Sequence, residues 1–399
     1  MKNEKINKNQ TVGVFFGSRT PEHDVSIITG QLIISGLKGL GYNVAPIYIS
    51  RQGKWLLGEG LDQLANFASQ QKNIEQEKAL GEYYLDLESS LGKMVFKKKG
   101  FFGKTVTIDL AFPAMHGSFG EDGTLQGLFE MLNIPYVGCD VASSAIAMDK
   151  ALTKQVCQLH NIPTTQFFYF YKNDWEKQKN AILNQAKNLR WPLFVKPVHL
   201  GSSIGISKVK DQNLQELENK IEVALYYDNK VLIEEGVSDL MDVTCCLIGN
   251  EHPRASLLQE SVFQAELFDF EEKYLKEGGS QLGKSQSGVI IPARISQELT
   301  QKIQETAKQV YKALGCWGIA MVDFLLNKTT GEFFANEVNP LPGTIYHHLW
   351  QASGLELNDL LKQLTNLAQE RHQQQKNLLL SFQSSILKSI GSKKLQIKK

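Results

Sequence analysis

The sequence predicts an α/β protein whose C-terminal part is an α+β arrangement. Residues 11–50 read as strand, helix and strand, which is the pattern of a βαβ unit in a parallel sheet. From residue 141 onward, helix-like and strand-like runs alternate. From residue 241, strands surround one helix-like run, which favours an antiparallel sheet.

The individual elements follow from the spacing of the apolar residues. Helix-like runs repeat every three to four residues, whereas strand-like runs are short and apolar or alternate with polar residues. The predicted helices are 25–41, 141–160, 174–189, 212–227 and 296–314. The predicted strands are 11–18, 43–50, 167–170, 193–196, 231–235, 242–249, 319–326 and 332–338.

The segment 58–104 is polar and rich in Gln and Lys, and we interpret it as an inserted helix and hairpin without chemistry. Its GFFGKT run at 100–105 resembles a phosphate-binding loop only superficially. Lys98 stands where such a loop requires its first glycine, and a strand-like run follows instead of a helix.

Composition limits the class of protein. The 399 residues are enough for two or three domains, and 42% hydrophobic with 21% charged residues is a globular balance. The net charge of +1 gives no reason to expect a nucleic-acid or membrane partner. The polar N-terminus lacks a secretory signal, and the five cysteines show no CxxC spacing. We expect a cytoplasmic protein with reduced thiols, and a homodimer is left open.

Three oxygen-bearing side chains are predicted to meet at one hairpin. Glu337 and Asn339 lie on one face of a strand because side chains alternate along it, and Asp323 lies in the preceding strand. The turn 327–331 between the strands reads as a hairpin that brings them together. An isolated acid at a strand end is usually only solvated, but three such ligands suit Mg²⁺ with nucleotide phosphates.

Lysines and a Gly/Ser loop strengthen the nucleotide hypothesis. Lys196 ends a strand, and Lys150 follows the short Met-Asp turn. The loop 199–207, which contains Ser203, is rich in donors for phosphate oxygens, although such loops are commonly only turns. Glu234 and Glu235 end a strand and could offer side chain and backbone to an adenine edge.

On these residues the chain resembles the D-alanine–D-alanine ligase family from about residue 11 to 368, with 58–104 and the C-terminal tail outside the likeness. Six ordered motifs carry the resemblance, and together they are highly specific for fold and general chemistry. They are GSRTPEHDVS (17–26), HGSFGEDGTLQG (116–127), AMDKALTK (147–154), VKPVHLGSSIGISKV (195–209), EEKYL (271–275) and VDF…NEVNPLPG (322–343).

The resemblance implies the ATP-grasp fold with three domains. The domains would be an N-terminal α/β substrate domain at 1–138, a central domain at 139–232 and a C-terminal domain at 233–370, followed by a polar tail at 371–399. ATP would lie between the last two domains with two Mg²⁺ ions, for which Mn²⁺ is an alternative. A carboxylate would attack the γ-phosphate of ATP to give an acyl phosphate, and the amine of a second D-amino acid would then displace phosphate.

The resemblance also implies roles for matched positions. Glu22 would hold the ammonium group of the first D-amino acid, linked by hydrogen bonds to Ser202 and Tyr274. Tyr274 and Lys273 would lie on a lid loop that closes over the site and excludes water. His116 would lie beside the substrate, or would stabilise its own turn.

The chain departs from the family at four positions. Met321 replaces an arginine that stabilises the oxyanion of the intermediate, leaving a backbone N–H near Gly343 as one donor. His348 replaces a serine that binds the carboxylate of the acceptor, the substrate that supplies the amine. Asp242 stands in place of a ribose-binding glutamate, and Leu200 replaces a polar residue of the phosphate loop. The first two changes fall on the acceptor side.

Three hypotheses are left open by the sequence. The chain is a D-alanine–D-alanine ligase with a modified acceptor pocket, an enzyme of the same chemistry with another amine or amino acid as acceptor, or a nucleotide-binding homologue with little catalysis. The paired histidines 347–348 are not expected to bind Mg²⁺, which prefers oxygen. They are expected to line the acceptor pocket or to pack there.

Overall fold

The computed structural model of the protein describes residues 10–68, 83–100, 103–262, 288–376, 378–384 and 386. The strands in this part of the chain are β1 Thr11–Gly17, β2 Asn43–Ile49, β3 Trp55–Leu56, β4 Tyr83–Leu85, β5 Met94–Lys98, β6 Thr105–Ile108, β7 Leu110–Pro113, β8 Phe167–Tyr171, β9 Leu193–Pro197, β10 Ser207–Val209, β11 Lys230–Glu235, β12 Leu240–Gly249, β13 Arg254–Ser261, β14 Val289–Ile290, β15 Gly318–Asn327 and β16 Phe333–Asn339. The helices are α1 His23–Gly39, α2 Ala65–Ala68, α3 Thr124–Met131, α4 Val141–Met148, α5 Lys150–Leu159, α6 Lys172–Lys187, α7 Leu214–Tyr227, α8 Gln297–Ala313, α9 His347–Ala352 and α10 Leu357–Gln375.

The N-terminal sheet has the strand order β3-β2-β1-β7, and β1 pairs in parallel with both β2 and β7. This confirms the predicted βαβ unit. The β1 strand is apolar on both faces because each face is covered. Val14 and Phe16 lie in a core with α1 and α10, whereas Phe15 lies in a second core on the opposite face.

The segment 58–104 contributes to that second core. Its strands β4 and β5 form a small antiparallel sheet with β6. Met94 and Phe96 of β5 are buried beside Phe15 and Phe129. The predicted hairpin is therefore present, and it closes one face of the N-terminal sheet.

The central sheet has the order β10-β9-β11-β8 and is antiparallel throughout. Helices α6 and α7 cover one face with apolar residues such as Trp175 and Ile221. Along β11, Val231 and Ile233 point into this core. Because side chains alternate along a strand, Glu234 lies on the other face of the sheet.

The C-terminal sheet has the order β14-β13-β12-β15-β16, and all its pairs are antiparallel, as the sequence predicts. Helix α8 packs on one face through residues such as Ile303 and Val310. Ala147 of α4 and Cys157 of α5 belong to the same core. Helices α4 and α5, which precede the central sheet in the chain, thus pack with the C-terminal sheet.

Helix α10 joins the C-terminal end of the chain to the N-terminal sheet. Its Arg371 is 4% exposed and donates hydrogen bonds of 2.6 Å to the carbonyl oxygen of Gly138 and 3.2 Å to that of Tyr136. The guanidinium also lies 4.1 Å from the centre of the Tyr136 ring. Among the described residues, no helix is long and apolar enough to cross a membrane.

Candidate functional site

The hairpin of β15 and β16 brings two of the predicted metal ligands directly opposite each other. Asp323 pairs with Glu337, and a register shift follows at Phe324. The Thr244 hydroxyl donates a hydrogen bond of 2.6 Å to Asp323 Oδ1, which orients that carboxylate. Asn339 lies two residues beyond Glu337 on the same strand face. The predicted pairing of Asp323 with Glu337 across the hairpin is therefore present, and their use as metal ligands together with Asn339 stays a prediction.

Lys150 connects this hairpin to the Gly/Ser loop. Its ammonium nitrogen lies 3.3 Å from Glu337 Oε2 and donates a hydrogen bond of 2.7 Å to the carbonyl oxygen of Leu200. The lysine is the first residue of α5, and Asp149 accepts a hydrogen bond from the N–H of Leu152 to cap that helix. One side chain thus contacts both the predicted metal-binding hairpin and the predicted phosphate-binding loop.

Two further lysines, Lys154 and Lys196, contact the side chain of Glu234, which is 1% exposed. Glu234 Oε2 lies 2.8 Å from the Lys154 ammonium and accepts a hydrogen bond of 2.7 Å from Thr165, and Oε1 contacts Lys196. Lys196 also donates to Asn336 Oδ1 at 3.1 Å, next to Glu337 on β16. The Glu234 side chain is therefore directed at the lysines, and its backbone is paired with β8 and β9 within the central sheet.

These contacts set the protonation of the cluster. Burial alone would raise the pKa of Glu234, but the adjacent charges of Lys154 and Lys196 hold it below its ordinary value. Burial lowers the pKa of Lys154, against the opposing effect of Glu234. The side chain of the neighbouring Glu235 is 13% exposed and binds the exposed Arg190, with Oε1 accepting the backbone N–H of Arg190 at 2.8 Å.

Glu22 lies at the N-terminus of α1, where a carboxylate is stabilised by the helix dipole. It is 7% exposed, and the Ser202 hydroxyl donates a hydrogen bond to its Oε1. Gly117 must be glycine here, because a Cβ would lie 2.6 Å from Glu22 Oε2 and the backbone φ is +71°. Ser202 and Ser203 also have left-handed backbones, with φ of 53° and 58°.

His116 is 3% exposed and forms part of a chain of hydrogen bonds. Its Nε2 lies 2.8 Å from Thr29 Oγ1, and the same hydroxyl accepts the Thr344 N–H at 2.9 Å. Its Nδ1 lies 4.0 Å from Glu121, whose other oxygen accepts the Gly117 N–H at 2.6 Å. His116 thus links the turn after β7 to the turn after β16.

That second turn, Gly343–Tyr346, has an unusual backbone. Thr344, Ile345 and Tyr346 have consecutive φ values of 49°, 50° and 49°. A left-handed conformation costs about 1–2 kcal/mol per residue, and a β-branched residue such as Ile345 is rarely found there. Ile345 and Tyr346 are buried in one apolar cluster with Met321, which is 2% exposed, and this packing holds the turn in place.

His348 lies in α9, directly after the left-handed turn. Its Nε2 lies 2.7 Å from Gln259 Oε1, and its ring centre lies 4.8 Å from that of Tyr346. Burial lowers the pKa of His348 to about 4, so the ring is neutral near pH 7. The neutral ring donates through Nε2 to Gln259, and its buried Nδ1 has no hydrogen-bond partner among the described residues.

Three further predicted site residues are Lys273, Tyr274 and Asp242, of which the first two lie outside the described residues. The predicted lid is therefore not described. Asp242 lies on β12 opposite Leu325 and Ser261, in the same sheet as Asp323. Within the described ranges, no group of three His, Cys, Asp or Glu side chains is arranged to hold a metal, and the predicted set contains an amide as its third member.

Sequence reasoning missed three side chains that shape the site. Lys154 lies four residues after Lys150 in AMDKALTK, one helical turn along α5, and this spacing could have indicated it. Thr29 and Gln259 gave no signal, because nothing next to them in the sequence indicates a partner. Their partners, Thr344 and His348, come from distant parts of the chain.

Comparison with known proteins places these observations in one family. A family model described as D-ala D-ala ligase N-terminus matches residues 11–139, and one described as D-ala D-ala ligase C-terminus matches residues 156–366. The first match runs through 58–104. The chain is 37% identical to a D-alanine–D-alanine ligase of Thermosipho melanesiensis over 94% of this chain and 98% of that protein. It is 35% identical to one of Natranaerobius thermophilus over 95% of this chain and 100% of that protein.

Two solved structures are similar to the whole fold. The D-alanine–D-alanine ligase from Coxiella burnetii has a TM-score of 0.76 at 30% identity, covering 92% of this chain and 96% of that chain. The VanG D-Ala:D-Ser ligase from Enterococcus faecalis also has a TM-score of 0.76, at 33% identity, covering 90% of this chain and 99% of that chain.

Proposed function

Because the chain belongs to the D-ala D-ala ligase family and has its ATP-grasp fold, we propose that it is a cytoplasmic ATP-dependent ligase that joins D-alanine to D-alanine for peptidoglycan precursor synthesis. The observation that carries this proposal is the approach of Lys150 Nζ to within 3.3 Å of Glu337 Oε2. A phosphate-binding cation and a metal-binding acid at this distance suit a site for the γ-phosphate of ATP.

The nucleotide lies between the central and C-terminal sheets in this proposal. Lys150 and Lys196 neutralise phosphate oxygens, and the loop of Ser203 supplies further donors. Glu234 acts indirectly by holding Lys196, while the backbone at Glu235 faces the adenine. Asp242 binds the ribose on β12.

Asp323, Glu337 and Asn339 would hold Mg²⁺, with Mn²⁺ as an alternative. The residues fit the ion because two carboxylates and one amide on the paired strands β15 and β16 supply hard oxygen ligands. When bound, two such ions would neutralise charge on the β- and γ-phosphates.

The first D-alanine binds at the edge of the N-terminal sheet. Glu22 receives its ammonium group, and Ser202 fixes the orientation of Glu22 by donating a hydrogen bond to one carboxylate oxygen. The remaining oxygen lies over Gly117, which leaves space that any side chain would fill. His116, through its contacts with Thr29 and Glu121, holds the elements around this pocket together.

The chemistry then requires mainly positioning. A carboxylate oxygen of the first D-alanine forms a bond to the γ-phosphorus as the bond to ADP breaks. The amine of the second D-alanine attacks the acyl carbon, with the Gly343 N–H stabilising the oxyanion. The carbon–oxygen bond to phosphate breaks as the amide forms, so one oxygen of the first D-alanine leaves in the phosphate.

A second candidate function keeps this chemistry but uses another acceptor. It is favoured by the apolar burial of Met321 and by the neutral His348, which donates to Gln259 where an ionic carboxylate contact is expected. A neutral imidazole with a free acceptor nitrogen suits a hydroxyl or amine donor better than a carboxylate. D-serine, the acceptor in the name of the VanG relative, has such a donor.

One assay tests both candidates. Purified protein is incubated with ATP, Mg²⁺ and D-alanine, and phosphate release is measured alone and with D-serine or other amino acids added. D-alanine-dependent phosphate release with dipeptide formation supports the first candidate. Release that requires the added amino acid supports the second, and no D-alanine-dependent release contradicts both.

A further inference from the structure

His199 opens the Gly/Ser loop, and both of its neighbours in the chain contact Lys150. The N–H of Lys150 donates a hydrogen bond of 3.3 Å to the carbonyl oxygen of Val198. The Lys150 ammonium donates one of 2.7 Å to the carbonyl oxygen of Leu200. The backbone position of His199 therefore determines where the Lys150 side chain and the loop lie relative to each other.

The His199 ring lies between two carboxylates from different elements. Its Nε2 is 3.3 Å from Asp149 Oδ2, and its Nδ1 is 3.0 Å from Asp228 Oδ2. Its backbone N–H also donates to Asp228 Oδ2 at 2.7 Å. Ionised carboxylates only accept hydrogen bonds, so a ring that contacts one at each nitrogen is protonated on both.

The surrounding charges balance. Asp149 Oδ2 also accepts a hydrogen bond of 2.6 Å from Lys230, so two acids face two cations. Lys230 in turn lies over the ring of Tyr169 at 4.5 Å and near that of Tyr171 at 5.7 Å. Losing the imidazolium charge would leave one carboxylate charge uncompensated in a partly buried cluster.

The pKa values agree with this arrangement. Hydrogen bonds from His199 to Asp149 and then to Asp228 raise the pKa of the imidazole to about 9. Burial alone would raise the pKa values of Asp149 and Asp228, but hydrogen bonds from His199 hold both below their ordinary values.

We propose that charged His199 is a positioning residue for the nucleotide: by bridging Asp149 and Asp228 it fixes the Gly/Ser loop against the start of α5 and orients Lys150 toward the phosphates of ATP. This inference rests on the proposed function only in taking the loop and Lys150 as the phosphate site. His199 itself contacts no substrate. Its loss should weaken nucleotide binding more than it slows the chemical steps or weakens D-alanine binding.

The direct test is the dissociation constant of the non-hydrolysable ATP analogue AMP-PNP, measured by calorimetry with Mg²⁺. His199→Gln removes the charge but keeps one donor, and it should raise the dissociation constant about tenfold. His199→Arg keeps the charge and should restore most of the affinity. The control is His160→Gln at the exposed end of α5, which should bind as the wild type does.

The pH dependence supplies a readout that a merely structural role would not change. Because the pKa of His199 is raised, the bridge is complete below the ordinary value of 6.5 and is lost as the pH rises through about 9. The affinity of the wild type for AMP-PNP should fall between pH 8 and 10 by more than that of His199→Gln, in which this group is missing. Asp228→Asn, on a separate element, should cause the same nucleotide-specific loss.

Several outcomes would overturn the inference. They are unchanged AMP-PNP affinity in folded His199→Gln, equal losses in His199→Gln and His199→Arg, and a rise in the KM for D-alanine without one for ATP. These results would leave D-alanyl-D-alanine synthesis by the wild type, and hence the proposed function, untouched. A wild type that binds AMP-PNP through His199 but makes no dipeptide would instead contradict the proposed function alone.

Discussion

Replacing Glu234 by Gln tests the buried charge cluster on which Lys196 depends. In the wild type this carboxylate, 1% exposed, contacts the ammonium groups of Lys154 and Lys196 and accepts from Thr165. The amide keeps one acceptor oxygen, but its NH₂ group faces a lysine that can only donate. Two buried cations are then left without an anion.

The magnitude follows from the burial of the cluster. Removing one partner of a buried ion pair typically costs about 3–5 kcal/mol, because the remaining charge is uncompensated. We therefore expect Glu234→Gln to lower the free energy of unfolding by about that amount and to weaken ATP binding. Lys154→Met should be far less harmful, since Glu234 would still be paired with Lys196.

Urea denaturation at pH 7 measures this loss, and Glu235→Gln is the matched control. Glu235 is the next residue on β11, and its partner Arg190 is 69% exposed. The Glu235 side chain is itself 13% exposed, but the Arg190 charge is solvated, so we expect the pair to contribute only about 0–1 kcal/mol. Equal losses in the two variants, or a loss below about 1 kcal/mol in Glu234→Gln, would show that Glu234 does not stabilise the two lysines.

The pH dependence has a defined sign. The pKa of Glu234 is lowered in the folded protein, so its contribution is complete above the ordinary value of 4.5 and is lost as the pH falls toward the folded value. The difference in stability between the wild type and Glu234→Gln should therefore shrink as the pH is lowered below 4.5. A difference that grows on acidification would contradict the ion-pair interpretation.

Three further predictions concern the substrates and the metal. Glu22→Gln should raise the KM for D-alanine roughly ten- to hundredfold with little effect on the KM for ATP, since a charge-assisted hydrogen bond contributes about 1.5–3 kcal/mol. Steady-state kinetics measure both constants, and an unaltered KM for D-alanine would exclude a contact between Glu22 and this substrate. Met321→Arg alone should lower the free energy of unfolding by about 2 kcal/mol or more, because it buries an unpaired charge. Combining it with Tyr346→Ser, which truncates a neighbour in the same cluster, should speed dipeptide formation by on the order of 10² per folded molecule. A single variant that is both stable and faster would show that the cluster around Met321 is not closed. Chelation by EDTA should abolish phosphate release, and added Mg²⁺ or Mn²⁺ should restore it; full activity in EDTA would exclude the metal site.

The elements with a clear apolar period were predictable from the sequence. Strand β1, helix α1 and strand β2 follow the predicted pattern within two residues at each end. The pairing of Asp323 with Glu337 was predictable because a short hairpin fixes its own register. These features depend on contacts between residues that are near one another in the chain.

The features that sequence reasoning missed depend on distant contacts. The strand β13 was not predicted, and it supplies Gln259, whose partner His348 lies 89 residues away. The left-handed backbone at Ile345 contradicts the preference of a β-branched residue, so only the packing around it could indicate it. The sequence also contained no sign that the Met321 side chain is enclosed by an apolar cluster.

An acyl-phosphate ligation at the hairpin of Asp323 and Glu337 transfers one carboxylate oxygen of the first D-alanine to phosphate. The most direct measurement supplies D-alanine with ¹⁸O in both carboxylate oxygens, together with ATP and Mg²⁺, and determines the isotope content of phosphate and product by mass spectrometry. The acyl-phosphate mechanism predicts D-alanyl-D-alanine together with an equal amount of phosphate carrying one ¹⁸O, and neither product in Glu337→Gln. Dipeptide formed with unlabelled phosphate, or labelled phosphate formed equally well by Glu337→Gln, would contradict it.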